Sequence, residues 1–349
     1  MSDPKTPSSH LFGNDPQLEI RGGLAEEYAD IYTPDALEAL TKLAPLNAER
    51  LALMNARVQR RRARADKHER IRFLDPQASI PGTSITVAAA RGGDFVGGRI
   101  PADLKRQWIQ GTGPGAKPRA AIETSIRNVA YALLSGADGW MFDGEDALGQ
   151  IDTMSLDNQR NLKLATRRDP LFSKVAEQVA AEMNAWAEDF LGRRIIDDWR
   201  EQLSITTQIF RARGLHLDDR HVRCADGTGF SASIVDTVLY VVNNFEALRA
   251  RGASVVMYLP KIETAEEAAF WNTILTELER HLGIECGTIK AYVLVERVEA
   301  SFQLMEIRAA LGVHFVGYNT GRWDYINSVS DAVRWDPDFH NPNIDAITM

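Results

Sequence analysis

Cysteine is almost absent, with Cys224 and Cys286 the two examples in 349 residues. Two thiols build neither a disulfide framework nor a four-thiolate zinc site, and they point to a reducing compartment, the cytoplasm. Long apolar runs are missing as well. No window of about 18 uninterrupted apolar residues occurs, so nothing reads as membrane-spanning. The stretch from Met1 to His10 has no apolar core and does not read as a secretory signal. Positive charge is in deficit, with 40 Lys and Arg against 48 Asp and Glu and a net charge of −8. A net acidic chain is a poor general binder of nucleic acid, because phosphate attraction needs a cationic field. Neither an internal repeat nor a low-complexity tract is present. What remains, 44% hydrophobic and 25% charged residues, is the profile of a globular protein.

Residues 1–34 read as a loose N-terminal arm, polar and rich in Pro and Ser at the start. Residues 35–100 read as an N-terminal helical segment. Leu37, Leu40 and Leu43, then Leu51, Leu53, Met54 and Val58, recur mostly at three- and four-residue steps. Asp35 is the predicted N-cap, and Pro45 divides the stretch. The run Arg60-Arg61-Arg62-Ala63-Arg64, followed by Asp66 and Glu69, reads as a solvated helix face.

From residue 101 onward, short apolar runs alternate with helical patterns. Strands are predicted near Trp108–Gly111, Gly139–Asp143, Ser204–Arg211, Ser254–Pro260, Ile289–Glu296 and His314–Asn319. Helices are predicted over Ala120–Ser135, Leu162–Gln202, Ala232–Arg251, Ala265–Leu282 and Ala300–Leu311. Strands separated by helices imply parallel pairing through right-handed crossovers, hence an α/β fold, for which a (β/α)8 barrel is one architecture to test against the length. Such a barrel takes about 250 residues. Six strands are used up by Asn319, a seventh would start at Ala346–Met349, and an eighth has no room. The expectation is an incomplete barrel over 101–349.

Nearly every predicted strand ends in a polar cluster: Asp143-Gly144-Glu145-Asp146, Arg211-Ala212-Arg213-Gly214, Pro260-Lys261-Ile262-Glu263, Glu296-Arg297 and Gly321-Arg322-Trp323-Asp324. In α/β barrels the chemistry sits at that end of the strands, so five clusters in series predict one shared site. Glu296 follows a buried-type run, and with Asp324 it offers the pair of carboxylates by which Mg2+ is commonly held. Gly321 lets backbone N–H groups come close to an anion. Arg211 suits an oxyanion or carboxylate because its planar fork stays charged, and Arg213, two residues on, competes for that role. Lys261 suits a phosphate or, preferably, a neighbouring acid. His216 and His221 read as loop or cap residues. Neither cysteine has a nearby histidine pattern that would make it a nucleophile.

These clusters resemble a known family. The stretches Arg211-Ala-Arg-Gly-Leu-His-Leu-Asp-Asp-Arg-His221, Tyr258-Leu-Pro-Lys261, Gly287-Thr-Ile-Lys-Ala-Tyr-Val-Leu-Val-Glu296 and Gly321-Arg-Trp-Asp-Tyr-Ile326 are similar to malate synthase of the shorter, A-type isoform. Ile100-Pro-Ala-Asp-Leu104, Thr112-Gly-Pro114 and Phe142-Asp-Gly-Glu-Asp146 add to the match, which covers roughly residues 35 to 349 in order. The resemblance implies a TIM barrel after a helical N-terminal segment, and Mg2+-dependent condensation of acetyl-CoA with glyoxylate, then hydrolysis to malate and CoA, in the glyoxylate cycle. It implies Arg211 as the catalytic arginine stabilising the acetyl-CoA enolate and Glu296 and Asp324 as Mg2+ ligands. It further implies Gly321, Arg322, Trp323 and Asp324 with Arg211 and Glu296 around glyoxylate, and Glu145 and Asp146 as outer acids.

Three departures accompany the resemblance. Ala147 stands where the family often has a serine near the CoA. The stretch between the second and third strands reads as helical rather than β-like. The family's proton-abstracting aspartate lies in a helical C-terminal region after the barrel, and this sequence ends before it. Two other readings stay open: a malyl-CoA lyase or thioesterase sharing the same carboxylates and arginine, and an inactive or split form needing a partner chain. A Schiff-base aldolase is more distant, since Lys261 is the sole lysine at a strand end.

Overall fold

The computed structural model describes residues 9–106, 109–111, 113, 117–148 and 151–339. Trp108, most of the Thr112-Gly-Pro114 motif and the seventh strand predicted at Ala346–Met349 lie outside the described residues. The first half of the chain carries β1 (His10–Phe12), β2 (Leu18–Ile20), α1 (Leu24–Glu27), α2 (Pro34–Leu43), α3 (Leu46–Asp66), α4 (Val87–Arg91), β3 (Ile109–Gln110), α5 (Ile122–Leu134) and β4 (Gly139–Asp143). Next come α6 (Met154–Thr166), α7 (Pro170–Leu191), α8 (Trp199–Ile205), β5 (Thr207–Arg211), β6 (Asp218–Cys224) and β7 (Gly229–Ser231). The chain continues through α9 (Ala232–Ala250), β8 (Val255–Leu259), α10 (Ala265–Leu282), β9 (Ile289–Val295), α11 (Leu304–Leu311), β10 (Phe315–Thr320) and α12 (Arg322–Val333).

Six strands form one parallel sheet in the order β10-β9-β8-β5-β4-β3, each next to its predecessor in the barrel series. This is barrel order, and the sheet is open among the described residues. Parallel neighbours need crossovers, which α5, the α6–α8 stretch, α9, α10 and α11 provide. The strands are apolar on both faces, as burial on both sides demands. Met141, Ile209, Val256, Tyr258, Tyr292 and Leu294 pack with Leu104 in an inner cluster. Their alternates Phe142, Phe210, Met257, Leu259, Ala291 and Val293 join the larger core under the helices. Two residues beyond Met141, Ile209 and Leu294 stand Asp143, Arg211 and Glu296. The inner layer therefore turns from apolar to charged at the carboxyl ends of the strands.

The N-terminal arm departs from expectation. β1 and β2 join β6 and β7 in a second, antiparallel sheet, and Leu18 and Ile20 are fully buried. Strands of three residues are too short to display a period of two, and β6, Asp-Asp-Arg-His-Val-Arg-Cys, carries too few apolar residues to read as a strand. The cap of α2 is Thr33, whose hydroxyl accepts from the Ala36 N–H, with Pro34 at the first position and Asp35 inside the first turn. The long helical region predicted over Leu162–Gln202 comprises three helices, the first of which begins earlier, at Met154. Asp169 caps α7 ahead of Pro170, and Asp198 caps α8.

The arginine run is not simply solvated. Arg57 pairs with Glu263 at 2.9 Å and Glu267 at 3.5 Å, Arg60 reaches Glu263 at 3.0 Å, Arg61 pairs with Asp331, and Arg64 meets Glu299 at 2.6 Å. Arg62 is the one arginine of the run that stays exposed. Acids brought there by three separate barrel segments turn this face of α3 into a clamp. No described helix is long and apolar enough to cross a membrane. Replacing the buried Arg57 by methionine leaves Glu263 and Glu267 short of a cation. The unfolding free energy in urea should fall by about 3 kcal/mol, whereas an unchanged midpoint would show that the clamp contributes nothing.

Candidate active site at the carboxyl ends of the strands

A cavity of about 450 Å³ opens at the carboxyl ends of the parallel strands. Its lining includes Asp143, Asp146, Ala147, Arg211, Glu296 and the whole stretch Asn319 to Asp324. Arg211, Glu296, Gly321, Arg322, Trp323 and Asp324, proposed from strand-end position, are thus brought to one place. Glu145 stands behind them, buried, and the carboxylate of Asp146 lies in the cluster itself rather than outside it.

The strand register does much of the positioning. Asp143 on β4 faces Arg211 on β5, and Arg211 faces Tyr258 on β8. The Arg211 guanidinium grips Asp143 through two parallel bonds, Nε to Oδ1 at 2.7 Å and Nη2 to Oδ2 at 2.5 Å, and Nη2 also reaches Asp146 at 3.2 Å. Asp143 accepts two more bonds, from the N–H groups of Glu145 and Ala147, so every oxygen of this buried acid is engaged. Burial works against the arginine's charge, yet the bond to Asp143 and the surrounding acids outweigh it and raise its pKa further. Glycine is required beside this pair. The Gly144 N–H donates to the Arg211 carbonyl at 2.8 Å, and a Cβ there would lie 2.5 Å from that oxygen.

Lys261 is the second cation, and it sits at the centre of the acids. Its Nζ lies 2.8 Å from Asp324, 3.4 Å from Asp146, and 3.5 Å from both Glu145 and Glu296. The pairing reading of this lysine is the one the structure realises. The backbone of Lys261 is left-handed, φ +56°, which costs a side-chain-bearing residue about 1–2 kcal/mol. Two bonds hold it there: its N–H donates to Glu296 Oε1 at 2.8 Å, and its carbonyl accepts from Arg57 at 2.9 Å.

Five carboxyl groups thus meet two fixed cations. The imbalance appears in the acids' titration. Burial pushes Glu296 up to about 8, with Glu145 and Asp324 adding to the rise while Lys261 opposes it. Burial likewise pushes Glu145 up to about 7. Asp324 is half-exposed; burial raises it, but the bonded Lys261 prevails and its pKa falls. One oxygen each from Asp146, Glu296 and Asp324 lies within 4.8 Å of the others. Three hard oxygen donors carrying excess negative charge fit a divalent cation of the Mg2+, Ca2+ or Mn2+ type.

Asp324 lies in the first turn of α12, whose leading N–H groups lack intrahelical acceptors and favour an anion. The Gly321 N–H is not one of these, because it donates to the Val295 carbonyl. The glycine serves proximity instead: a Cβ would lie 2.9 Å from the Glu296 Cβ. Trp323 is 77% exposed, and Arg322 stacks over its ring at 5.0 Å. Arg213, the rival arginine, is buried against Asp219 and Asp236, each at 2.6 Å, and braces the β5–β6 connection. Asp143 and Lys261 are the residues whose weight the strand-end pattern underrated. The inward alternation Met141 to Asp143 was the available signal for the first.

Two arginines at this cavity should behave oppositely. Arg211→Met strands the buried Asp143 and should cost about 3 kcal/mol in unfolding free energy, whereas exposed Arg322→Met should change it by under about 0.5 kcal/mol. Equal losses in a calorimetric comparison would contradict the pairing described.

Known proteins bear on this geometry. The family described as "Malate synthase, N-terminal domain" matches residues 17–79, and "Malate synthase, TIM barrel domain" matches residues 207–349. The chain is 33% identical over 334 residues to the malate synthase of Myxococcus xanthus, covering 96% of this chain and 54% of that protein. It is 30% identical to malate synthase A of Escherichia coli, covering 95% and 55%, and 34% identical to the glyoxysomal malate synthase of Zea mays, covering 92% and 51%. The chain spans about half the length of these relatives. With both family domains matched in chain order, the chain belongs to the malate synthase family.

Proposed function

We propose that this chain carries the glyoxylate-binding and enolate-stabilising part of a malate synthase, condensing acetyl-CoA with glyoxylate and releasing malate and CoA. The observation that carries the reading is the meeting of Asp146, Glu296 and Asp324 beside Arg211 in one cavity. Glu296 and Asp324, with Asp146 in reach, are the residues that would hold Mg2+. That ion, when bound, makes the aldehyde carbon of glyoxylate more electrophilic.

The chain's own groups supply the rest. Glyoxylate's carboxylate is received by the first turn of α12, where Asp324 is also anchored. Asp143 occupies the Nε–Nη2 edge of Arg211, which leaves the Nη1 protons for the enolate oxygen of acetyl-CoA. A charge fixed in place before reaction stabilises that oxyanion without reorganisation. Lys261 keeps Asp324 and Glu296 together, so the acids do not spring apart when the site is empty of substrate. The enolate carbon then bonds to the aldehyde carbon, and water cleaves the thioester to free CoA. The cysteine-poor composition favours a cytoplasmic setting.

Titration of the 349-residue chain with Mg2+ and glyoxylate in a calorimeter tests the assignment. Binding of glyoxylate should depend on Mg2+, and Asp324→Ala should weaken Mg2+ by about tenfold or more. Unchanged Mg2+ binding in that variant would remove Asp324 from the metal site. Thiol release from acetyl-CoA with glyoxylate marks net synthesis, whereas reversible cleavage of malyl-CoA without thiol release favours the lyase reading.

A further inference from the structure

Three side chains with metal-binding atoms meet at the opposite end of the sheet. Glu279 comes from the last turns of α10, Cys286 from the loop entering β9, and His314 from the turn entering β10. One donor atom from each lies within 4.8 Å of the others. The seven residues of β9 separate this point from Glu296 by on the order of 20 Å, so the two clusters are distinct.

Glu279 and His314 are fully buried. The Glu279 carboxylate is fixed by the N–H groups of Ile289, at 2.7 Å from Oε1, and Gly287, at 2.9 Å from Oε2. Oε2 also lies 3.0 Å from His314 Nε2, and His314 Nδ1 lies 2.7 Å from Asn272 Oδ1. An Nδ1–H bonded to an amide oxygen is how a metal-bound histidine is commonly oriented. With the proton placed on Nδ1, the Nε2 lone pair faces a carboxylate oxygen, and that contact then needs a proton or a metal cation. Among the described residues, His314 is the one ion-pair partner of Glu279. Cys286 decides between the two cations. A thiol placed at the same point adds nothing to a protonated pair, whereas thiolate, imidazole and carboxylate together are a zinc donor set. Cys286 is exposed and lines a cleft of about 660 Å³ with Arg99, Lys290 and Val313, which leaves room for water.

We propose that Glu279, Cys286 and His314 bind a zinc ion at the foot of the sheet, with water in the fourth position. Binding releases to solvent the Cys286 proton and the proton of the His314–Glu279 contact, and ties α10 to the entries of β9 and β10. It does not depend on the reading of the catalytic cavity.

Co2+ is the probe for the test. The 349-residue chain should take up one equivalent of Co2+ with a thiolate-to-cobalt band in the near ultraviolet, which Zn2+ abolishes and excess Mg2+ does not. The band should persist in Asp324→Ala, which alters only the catalytic cluster, and vanish in Cys286→Ser, whose exposed position leaves the fold intact. Zn2+ should also slow alkylation of Cys286, located by mass spectrometry, by about tenfold or more. The absence of the band, its survival in Cys286→Ser, or alkylation indifferent to Zn2+ would each overturn the proposal and leave a proton in the His314–Glu279 contact.

Discussion

Charge that must be buried and yet held together is the constraint on which this structure turns. A lone ion removed from water is prohibitive, and a cluster of like charges is worse. At the mouth of the sheet the chain meets this with two cations of different kinds. Arg211 binds Asp143 through a planar fork, a rigid pair set by the register of β4 and β5. Lys261 acts as a point charge among Asp324, Asp146, Glu145 and Glu296. A fork fixes direction and a point charge fixes only proximity. The first suits a group aimed at an oxyanion, and the second suits carboxylates that rearrange around a metal.

The N-terminal segment is coupled to the same residues. Glu263, two positions after Lys261, receives Arg57 and Arg60 of α3, and Arg297, next to Glu296, also pairs with Glu263 at 3.2 Å. Arg57 donates as well to the carbonyl of Lys261, whose left-handed backbone aims its ammonium into the cluster. Neighbouring residues along each strand end thus face opposite ways, one toward the cavity and one toward α3. Through Arg57 and Arg60, α3 therefore helps set the position of both Lys261 and Glu296.

Much of this was legible before the structure. Gly139–Asp143 and Ala265–Leu282 coincide with observed elements, because an apolar run bounded by glycine and acid, and a helix opened by Thr264 and closed by Gly283, carry their own punctuation. Arg211, Glu296 and Asp324 stood out because each follows a strand-like run or a glycine turn. The small antiparallel sheet did not stand out, since its strands are short and its β6 mostly polar. The role of the α3 arginines was equally hidden. A helical charge pattern shows which face is polar, not whether water or an acidic surface covers it.

The sequence by itself determined the alternation of strand and helix, the parallel α/β class and the polar clusters at the strand ends. These are local properties, written in periodicity, caps and short runs. Tertiary structure alone decided that Asp146 joins the acid cluster, that Lys261 stands at its centre, that Arg213 is structural while Arg211 lines the cavity, and that Glu279, Cys286 and His314 converge at the other end. Each of these depends on which strands lie side by side and in what register. Contacts between residues far apart in the chain follow from packing rather than from local pattern.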